Sequence, residues 1–367
     1  MNVTTDIISL LIPGFAHIKK GKKRMGALIF SINILNVLIL AQAILRGKFL
    51  WFNNTQNLLP SVILLFLLFL SWSINIYAWN LNKLGKDGGG EGYWSLVQRR
   101  FLRNRRAIAG FIIIIVIVYI AVFAPLISPY GYLNMDLMNT LAKPSILHPL
   151  GTDNFGRDIA SRIIYGSRIA LGVGTAATLF NMGVGGLLGL LAGFYKGFVD
   201  STIMRILETI NAIPYFVLML LVISLFGGGI VNLILVLGIF GLYPARIIRS
   251  EVLSVREEDY VEASEAVGAS NGRIVFRHVL PNSVASLLVT TTMRIGLNII
   301  LVAGLSFLGA GLSPPTPSWG AMLQKAQTYM RTAWWMAIFP GLAIVVLVLG
   351  FNIFGDGLRD VLDPKLK

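Results

Sequence analysis

Residues 259–282 read DYVEASEAVGASNGRIVFRHVLPN, a polar segment rich in small residues that separates two strongly apolar stretches. Ser254 and Glu257, just before it, have the Ser-x-x-Glu spacing of a capping box. Acidic residues come next, and negative charge is favoured at the positive N-terminal end of a helix dipole. Gly268 is placed to end this helix. A second short helix is predicted after it, with a stop at Leu280-Pro281. The segment is therefore predicted to be a docking element made of two short helices.

This segment resembles the EAA loop of ATP-binding-cassette (ABC) importer permeases, whose pattern is EAA-x3-G-x9-I-x-LP. The matching positions are Glu262, Ala263, Gly268, Leu280 and Pro281. Two positions depart from the pattern, because Ser264 replaces the second Ala and His278 replaces the Ile. The peptide-importer branch usually has RHxLPN at this place, as this chain does. The resemblance covers roughly residues 95–365.

In that family the loop inserts into a cleft of a cytosolic ATPase. The resemblance implies that Glu262 makes a polar contact with the ATPase, that Ala263 fits its cleft closely, and that Gly268 forms the turn between the two loop helices. Ser264, Leu280 and Pro281 complete the predicted coupling site. An ordinary amphipathic interfacial loop is the alternative interpretation.

The composition places the chain in a bilayer. Its mean hydropathy is +0.74, and only 13% of its residues are charged, against roughly 25% in soluble domains. The formal net charge of +14 comes from basic residues in short loops between apolar runs, which is what membrane orientation requires, so no nucleic-acid partner is expected. The absence of cysteine excludes disulfides, thiolate metal sites and a Cys nucleophile.

Eight apolar runs approach the ~20 residues needed to cross the hydrocarbon. They fall at about 26–45, 58–79, 107–127, 169–193, 203–225, 229–248, 283–309 and 334–355. The runs are too long for strands and have no alternating pattern, so they are predicted to be helices that satisfy their own backbone hydrogen bonds in lipid. The fold class is an all-α membrane protein with eight transmembrane helices.

Orientation follows from the 31 Lys and Arg residues, most of which fall in alternate segments on one side of the predicted spans. Because the cytosolic side holds the excess of basic residues, both termini and the 250–281 loop are predicted to be cytosolic. The coupling loop is thus expected on the side where ATP is available.

The segment GKDGGGEG at residues 85–92 marks a boundary. It divides an N-terminal two-helix membrane module, residues 1–84, from a six-helix permease core, residues 107–367. Residues 85–106 form a Gly-rich linker and a basic segment that is expected to lie near anionic lipid headgroups and anchor the topology. The module is interpreted as an anchoring or packing appendage, with a regulatory or partner-binding role as the alternative.

A second motif, HPLGTDNFGRD at residues 148–158, closely resembles a stretch of the OppC and DppC branch of these importers and is predicted to lie outside the membrane. Its glycines permit tight turns, and Asp153 and Asp158 can hydrogen-bond the turn backbone. With Arg157 and Trp319 they form the predicted external-face site. This motif is interpreted either as a rigid cap over the pore or as a contact for an external binding protein, and Trp319 either as an interfacial anchor or as part of a gate.

Three residues are candidates for the pore or its gate. Pro214 removes a helical hydrogen bond and is predicted to kink its span where an inner gate could bend. Glu208 lies three residues after Arg205, a spacing that allows a salt bridge on one helical face. Arg294 is the one full charge deep within a span, which makes function the default hypothesis. It is predicted to face the pore and meet a substrate carboxylate, or to bond carbonyls or a helix of a partner chain.

Gly185, Gly189 and Gly193 recur every four residues in an apolar run. Such a face has no side chains and allows another helix to approach closely. A phosphate-binding loop is not indicated, because no strand precedes these glycines and no Lys-Ser/Thr pair follows them.

The chain has no G-x4-GK-[ST] motif, so it is not predicted to be an enzyme and no cofactor is expected in it. Ion-driven transport is disfavoured because the carboxylates do not fall at mid-span. The family resemblance implies a bacterial cell membrane protein whose partners are two ABC ATPases holding ATP and Mg, a second homologous permease and an extracytoplasmic substrate-binding protein.

The predicted function is half of a translocation pore that imports short peptides, either oligopeptides or dipeptides, and couples to the ATPases through the EAA loop. Within the transport class, import of nickel or another metal chelate is the alternative. A channel or scaffold that works without ATPases is the alternative from a different class.

Overall fold

A computed structural model describes residues 23–46, 48, 57, 59–68, 70–71, 93–275 and 280–362. Helices account for nearly all the regular structure in these ranges, and no strand occurs in them beyond an isolated bridge between Thr152 and Asp158. The predicted all-α fold class is therefore confirmed for this part of the chain. The linker at residues 85–92 and His278 lie outside the described residues.

The helices are α1 (Lys23–Leu45), α2 (Leu59–Leu68), α3 (Tyr93–Arg103), α4 (Arg105–Val122), α5 (Ala124–Ile127), α6 (Ile159–Tyr195), α7 (Gly197–Asn211), α8 (Tyr215–Phe226), α9 (Ile230–Phe240), α10 (Pro244–Arg256), α11 (Asp259–Ala266), α12 (Asn271–Ile274), α13 (Leu280–Phe307), α14 (Trp319–Tyr329) and α15 (Trp335–Leu362). A single 3-10 turn, Leu137–Asn139, precedes α6.

Five segments within the described ranges are long and apolar enough to cross a membrane, and a sixth is obtained if α7 and α8 form one bent span. These segments are α4, α6, α9 with α10, most of α13, and α15. The runs predicted at 26–45 and 58–79 contain the shorter apolar helices α1 and α2, and the second run continues beyond the described residues.

Helix α6 is longer than its predicted span, because it has 37 residues and begins ten residues before the expected start at 169. At 1.5 Å per residue it is about 55 Å long, against a hydrocarbon thickness of about 30 Å. The helix is therefore longer than a span along the membrane normal requires. The first end follows the HPLGTDNFGRD motif, and the second precedes α7.

The span predicted at 203–225 is broken in two instead of kinked. Helix α7 ends at Asn211, Pro214 is the residue before α8 with φ −53°, and the two helix axes differ by 80°. Proline favours this break because it has no N–H to continue the hydrogen bonding of α7 and its φ suits the start of a helix.

The glycine-lined face of α6 packs directly on another helix, as the sequence predicts, and the structure identifies that helix as α10. A Cβ atom added at Gly189 would lie 2.4 Å from the carbonyl oxygen of Ala245, and one added at Gly193 would lie 2.8 Å from Cβ of Val252. Both distances are too short for real atoms, so only glycine allows the two helices to approach this closely.

Contacts divide the chain into two compact units, which are Met1–Arg103 with Tyr119–Gly131, and Asn104–Val118 with Tyr132–Lys367. In the described part of the first unit, basic side chains cap the C-terminal end of α5. Arg46 Nη1 donates to the Ile127 carbonyl at 2.9 Å, and Lys48 Nζ donates to the Ser128 carbonyl at 2.7 Å. Cations at this helix end satisfy carbonyls that have no partner within the helix.

In the second unit, apolar clusters from α6, α8, α9 and α13 surround a few buried polar side chains. Asn298 Nδ2 on α13 donates to Thr178 Oγ1 on α6 at 2.8 Å, and Asn181 Nδ2 on α6 donates to the Gly238 carbonyl at 3.2 Å. Hydrogen bonds of this kind hold helices together where no water competes. These hydrogen bonds join α6 to α9 and α13. Helix α6 is therefore the central helix of this unit, and the candidate sites lie at its two ends.

Candidate functional site

The predicted coupling loop forms two short helices, although its ends differ from the sequence prediction. Ser254 lies in the last turn of α10 and Glu257 is the C-terminal cap of that helix, so the predicted capping box is wrong. Leu280 and Pro281 begin α13 instead of ending a loop helix. Proline is as well suited to the first turn of a helix as to the position after its end. For this reason the Leu280-Pro281 pair was wrongly predicted to be a helix stop.

Gly268 lies between α11 and α12 with φ +82°, and nothing lies within 4 Å of the position where its Cβ would be. The left-handed backbone therefore favours glycine there for conformational reasons and not for lack of space. Ser264, one turn earlier, donates its hydroxyl to the Tyr260 carbonyl at 2.7 Å.

The loop is attached to the bundle by an apolar cluster. Val261 of α11 and Ile274 of α12 are fully buried against Phe194, Ile248 and Val252. Burying two branched side chains contributes about 3–6 kcal/mol of transfer free energy. The loop therefore rests on the C-terminal end of α6 and on α10 as a packed unit.

The outward side of the loop contains the residues that resemble the coupling motif. Glu262, Ala263 and Val267 are exposed, and Val267 exposes 90% of its surface. A single exposed apolar side chain is common on protein surfaces, so the assignment of this side to docking rests on the motif residues beside it. Sequence reasoning missed Val267, although its position one residue before Gly268 placed it at the tip. The side chains of Leu280 and Pro281 lie outside the described atoms.

At the opposite end of α6, the HPLGTDNFGRD motif forms a compact cap around Asp153. The Asp153 carboxylate accepts a hydrogen bond from Arg157 Nε at 2.7 Å and from the backbone N–H groups of Phe155 and Arg157 at 2.8 and 3.0 Å. The Arg157 guanidinium also stacks 4.7 Å from the Phe155 ring centroid. These contacts close a tight turn that requires Gly156, where a Cβ would lie 1.7 Å from the Asp136 carbonyl oxygen.

Asp158 forms the junction between this cap and α6. Its side chain caps the helix by accepting from the Ser161 N–H at 2.7 Å and from the Ser161 hydroxyl at 2.8 Å, and His148 Nδ1 lies 3.1 Å from its other oxygen. Asp153, Arg157 and Asp158 expose at most 6% of their surface. They are therefore too buried to meet a docking protein, which favours the rigid-cap interpretation for these side chains.

Two tryptophans fasten the cap to the helices that follow it. Trp319 begins α14, a helix that the sequence analysis did not predict, and its Nε1 donates to the Ile163 carbonyl of α6 at 3.0 Å. Trp319 is buried within the chain, so its ring is not exposed at a membrane surface as an interfacial anchor would be. Trp335 Nε1 donates to the Thr152 carbonyl at 3.2 Å. Sequence reasoning missed Trp335, because nothing local distinguishes it from the exposed Trp334.

Arg294 lies near the middle of α13 and half-buried, with its guanidinium carbon 4.1 Å from the ring centroid of Tyr243. This distance is that of a cation–π contact, which stabilises a guanidinium without neutralising it. Among the described side chains no carboxylate forms an ion pair with Arg294. The guanidinium is therefore held against Tyr243, and no described carboxylate neutralises its charge.

Glu208 and Arg205 do not form the predicted pair. Both side chains are exposed on α7, and no ion pair joins these two described residues. The carboxylate of the same helix that does pair is Asp200, which binds Arg249 of α10. Asp200 and Arg249 are 49 residues apart, so local spacing could not identify this pair.

Comparisons with known proteins match most of the chain. The family described as "Binding-protein-dependent transport system inner membrane component" matches residues 185–367, and the N-terminal transmembrane domain of oligopeptide transport permease C matches residues 92–144. The last part of α6, the coupling loop and the helices from α7 to α15 fall within the first match.

Several curated relatives are similar over nearly their whole length. The glutathione transport system permease protein GsiD of Pectobacterium atrosepticum is 45% identical over 278 residues, which are 75% of this chain and 92% of the relative. The dipeptide transport system permease protein DppC of Alkalihalophilus pseudofirmus is 42% identical over 275 residues, 75% of this chain and 90% of that protein. The GsiD protein of an Escherichia coli O6 strain is 44% identical over 278 residues, with 75% and 91% covered.

Identity above 40% holds over about nine tenths of each relative and three quarters of this chain. This chain therefore belongs to the family of binding-protein-dependent transport system inner membrane components, the membrane permeases of ABC importers.

Proposed function

We propose that this chain forms one half of the translocation pore of an ATP-driven importer of short peptides. The observation that carries the proposal is its similarity to permeases named for glutathione transport and for dipeptide transport, over about nine tenths of each of those proteins. The motif at residues 148–158, which resembles the peptide branch, supports the same substrate class.

The coupling loop is the element through which ATP hydrolysis would act. Glu262, Ala263 and Val267 present an outward surface, while Val261 and Ile274 bind the same loop to α6 and α10. A force applied by an ATPase to the outward surface is transmitted to α6 because a close-packed apolar contact does not compress. ATP and Mg belong to two partner ATPase subunits in this proposal, and the second half of the pore belongs to a homologous permease.

We propose that the coupling loop and both termini are cytosolic and that the cap faces the extracytoplasmic substrate-binding protein. The distribution of basic residues supports this orientation, as does the length of α6, which separates cap and loop by about 55 Å. In this proposal α1 and α2 belong to a two-helix membrane module, residues 1–84. Residues 85–106 join this module to the six-helix core, residues 107–367, so the chain has eight transmembrane spans.

Arg294 is the residue proposed to meet the substrate in the pore. A free peptide carries a terminal carboxylate, and a guanidinium binds a carboxylate through two parallel hydrogen bonds. Arg294 contacts Tyr243 and has no carboxylate partner among the described residues. The N–H groups of its guanidinium are therefore available for a substrate carboxylate. The break at Pro214, with Glu208 in the last turn of α7, gives α7 and α8 a point at which a gate could bend.

Reconstitution tests the proposal directly. The chain is expressed in its native host, purified from the membrane by a tag on this chain alone, and placed in vesicles. We expect two ATPases and one second permease to co-purify, and ATP-dependent uptake of a labelled dipeptide or of glutathione. Uptake of a nickel chelate but of neither peptide would assign the chain to metal import. Solute flux without ATPases would indicate a channel and overturn the proposal.

A further inference from the structure

Arg256, the last residue of α10, contacts the C-terminal end of α6. Its Nη1 donates to the backbone carbonyl of Phe194, and its guanidinium carbon lies 5.0 Å from the centroid of the Phe194 ring. Phe194 is the last residue but one of α6, so its carbonyl has no partner within that helix. One side chain of α10 therefore contacts both the backbone and the ring of the same residue on α6.

The position of Arg256 favours a positive charge. Arg256 lies in the last turn of its own helix, and its guanidinium is hydrogen-bonded at the C-terminal end of α6. Helix C-terminal ends carry a partial negative charge, so the dipoles of both helices stabilise a cation there. The contact with the Phe194 ring adds a cation–π interaction. A neutral amide at this position would lose the charge-dependent part of each of these interactions.

Phe194 also belongs to the apolar cluster on which the coupling loop rests. Its side chain exposes only 3% of its surface and packs in one cluster with Val261 of α11 and Ile274 of α12. Arg256 ends α10, and α11 begins at Asp259. The contact between Arg256 and Phe194 therefore lies where α6, α10 and the loop meet.

Two further ion pairs join α10, or the residue after it, to the segment that follows α6. Arg249 binds Asp200 in the first turn of α7. Lys196 Nζ lies 3.9 Å from a carboxylate oxygen of Glu257, and both of these side chains are exposed, so this second pair contributes little to stability. Of these described contacts, only that of Arg256 reaches a residue that is buried against the loop.

An apolar contact alone does not fix the register between the loop and α6. Hydrophobic burial is non-directional, so the loop could shift on its apolar cluster with little change in buried area. A charge-assisted hydrogen bond is directional and sets both distance and angle. With Arg256 bound to the Phe194 carbonyl, a displacement of the loop moves the end of α6 instead of being lost at the contact.

We infer that Arg256 is a positioning residue for energy coupling, which holds the end of α6 in register with the coupling loop. The inference rests on the proposed function, in which an ATPase moves this loop. Arg256 precedes the residues that match the EAA pattern, and it acts through Phe194 instead of by contact with the ATPase.

The first experiment measures the position of the loop without transport. The chain has no cysteine, so spin labels can be attached at Val267→Cys and Phe198→Cys, whose native side chains expose 90% and 86% of their surface. Pulsed electron double resonance on the full-length chain in detergent gives the distribution of distances between the labels. In Arg256→Gln we expect this distribution to be about twice as broad, because the hydrogen bond that sets the register loses its charge. Arg256→Lys keeps a charged donor and should retain the narrow distribution. Equal widths in Arg256→Gln and in the labelled parent would overturn the inference.

The second experiment measures ATP hydrolysis and peptide uptake per assembled complex in vesicles. Arg256→Gln should lower the peptide imported per ATP about tenfold, the factor that corresponds to one charge-assisted hydrogen bond, while ATP hydrolysis stays as in the parent. A chain that is only destabilised would lose hydrolysis and uptake together. Arg256→Lys should recover part of the uptake. The matched control Arg246→Gln removes an exposed cation from the same helix and should behave as the parent does.

Two results of this second experiment would contradict the inference. Uptake per ATP in Arg256→Gln equal to that of the parent would remove Arg256 from coupling. Loss of the ATPase subunits from the purified Arg256→Gln complex would make Arg256 a docking residue instead of a positioning residue. Absence of ATP-dependent uptake in the parent itself would refute the proposed function, whereas the distances between the spin labels would still decide whether Arg256 positions the loop.

Discussion

The guanidinium of Arg249 binds the carboxylate of Asp200 through two hydrogen bonds, from Nε to Oδ1 and from Nη2 to Oδ2. Asp200 lies in the first turn of α7, immediately after α6, and Arg249 lies in α10, which leads into the coupling loop. The pair joins the helix that follows α6 to the helix that precedes the coupling loop. Its two-point geometry fixes direction as well as distance, because a guanidinium and a carboxylate match as planar forks.

Asp200→Asn should weaken transport by several fold while the chain still folds. The neutral amide keeps the shape of the side chain but loses the charge-assisted pair, and a partly exposed pair of this kind contributes about 1 kcal/mol or less to stability. The measurement is peptide uptake per ATP hydrolysed in vesicles. The matched control is Glu257→Gln, whose carboxylate lies 3.9 Å from Lys196 and is largely exposed. Equal effects of both substitutions would mean that the Asp200 pair has no special role.

Gly189→Ala should lower the stability of the bundle. The added Cβ would lie 2.4 Å from the Ala245 carbonyl oxygen, so α6 and α10 must separate, at a cost of about 1–3 kcal/mol. Thermal unfolding in detergent measures the effect. Gly186→Ala is the control, because nothing lies within 4 Å of its Cβ position and alanine favours a helix. If the two variants melt at the same temperature, the glycine face is not what sets the helix separation.

Gly268→Val should uncouple ATP hydrolysis from uptake without preventing folding. The position is open but its φ is +82°, where a side chain costs about 1–2 kcal/mol, and the turn can relax only by reorienting α11 against α12. The ratio of peptide imported to ATP hydrolysed reports this. The control is Gly272→Val, which is equally open and does not have a positive φ. Normal coupling in Gly268→Val would remove this turn from the mechanism.

Trp335→Phe should destabilise the cap by about 1–3 kcal/mol, because the Thr152 carbonyl loses its donor and a small void remains. The neighbouring Trp334→Phe should change stability by no more than about 0.5 kcal/mol, since Trp334 is half exposed. Thermal unfolding of both variants is compared under the same conditions. A larger effect at Trp334 would contradict the packing described for this cap.

Arg294→Gln should reduce peptide uptake about tenfold with normal assembly, since loss of one charged contact is worth about 1.4 kcal/mol in binding. Arg294→Lys keeps the charge over Tyr243 but loses the planar fork, so an intermediate rate is expected. Uptake is measured with a free dipeptide and with the same dipeptide amidated at its C terminus. If amidation affects the parent protein and Arg294→Gln equally, the carboxylate does not bind at this residue.

Features that depend on neighbouring residues could be predicted from the sequence. Apolar runs too long for strands indicated the helices, glycines spaced by four indicated a close contact with another helix, and Gly268 indicated the turn between the two loop helices. The ends of elements were less well predicted. Pro281 fits both the end of one helix and the start of the next, and the start is what the fold uses.

Features that depend on distant residues could not be predicted in this way. Trp335 and Thr152 are 183 residues apart, and Arg249 and Asp200 are 49 apart. Arg205 was predicted from its spacing to be the salt-bridge partner of Glu208, but both side chains are exposed on α7. Spacing along one helix shows which side chains can meet on that helix, and it carries no information about the helices that pack against it.

The sequence by itself predicted an all-α membrane protein, because hydrophobic length and charge distribution are local properties. Its motifs added a resemblance to ABC importer permeases, and that resemblance supplied the expectation of a coupling loop. Only the tertiary structure decided that Asp153, Arg157 and Asp158 are buried in a cap, and that Val267 is exposed at the loop tip. The physical reason is that burial and charge balance are set by all the atoms surrounding a side chain, most of which come from residues far away in the chain.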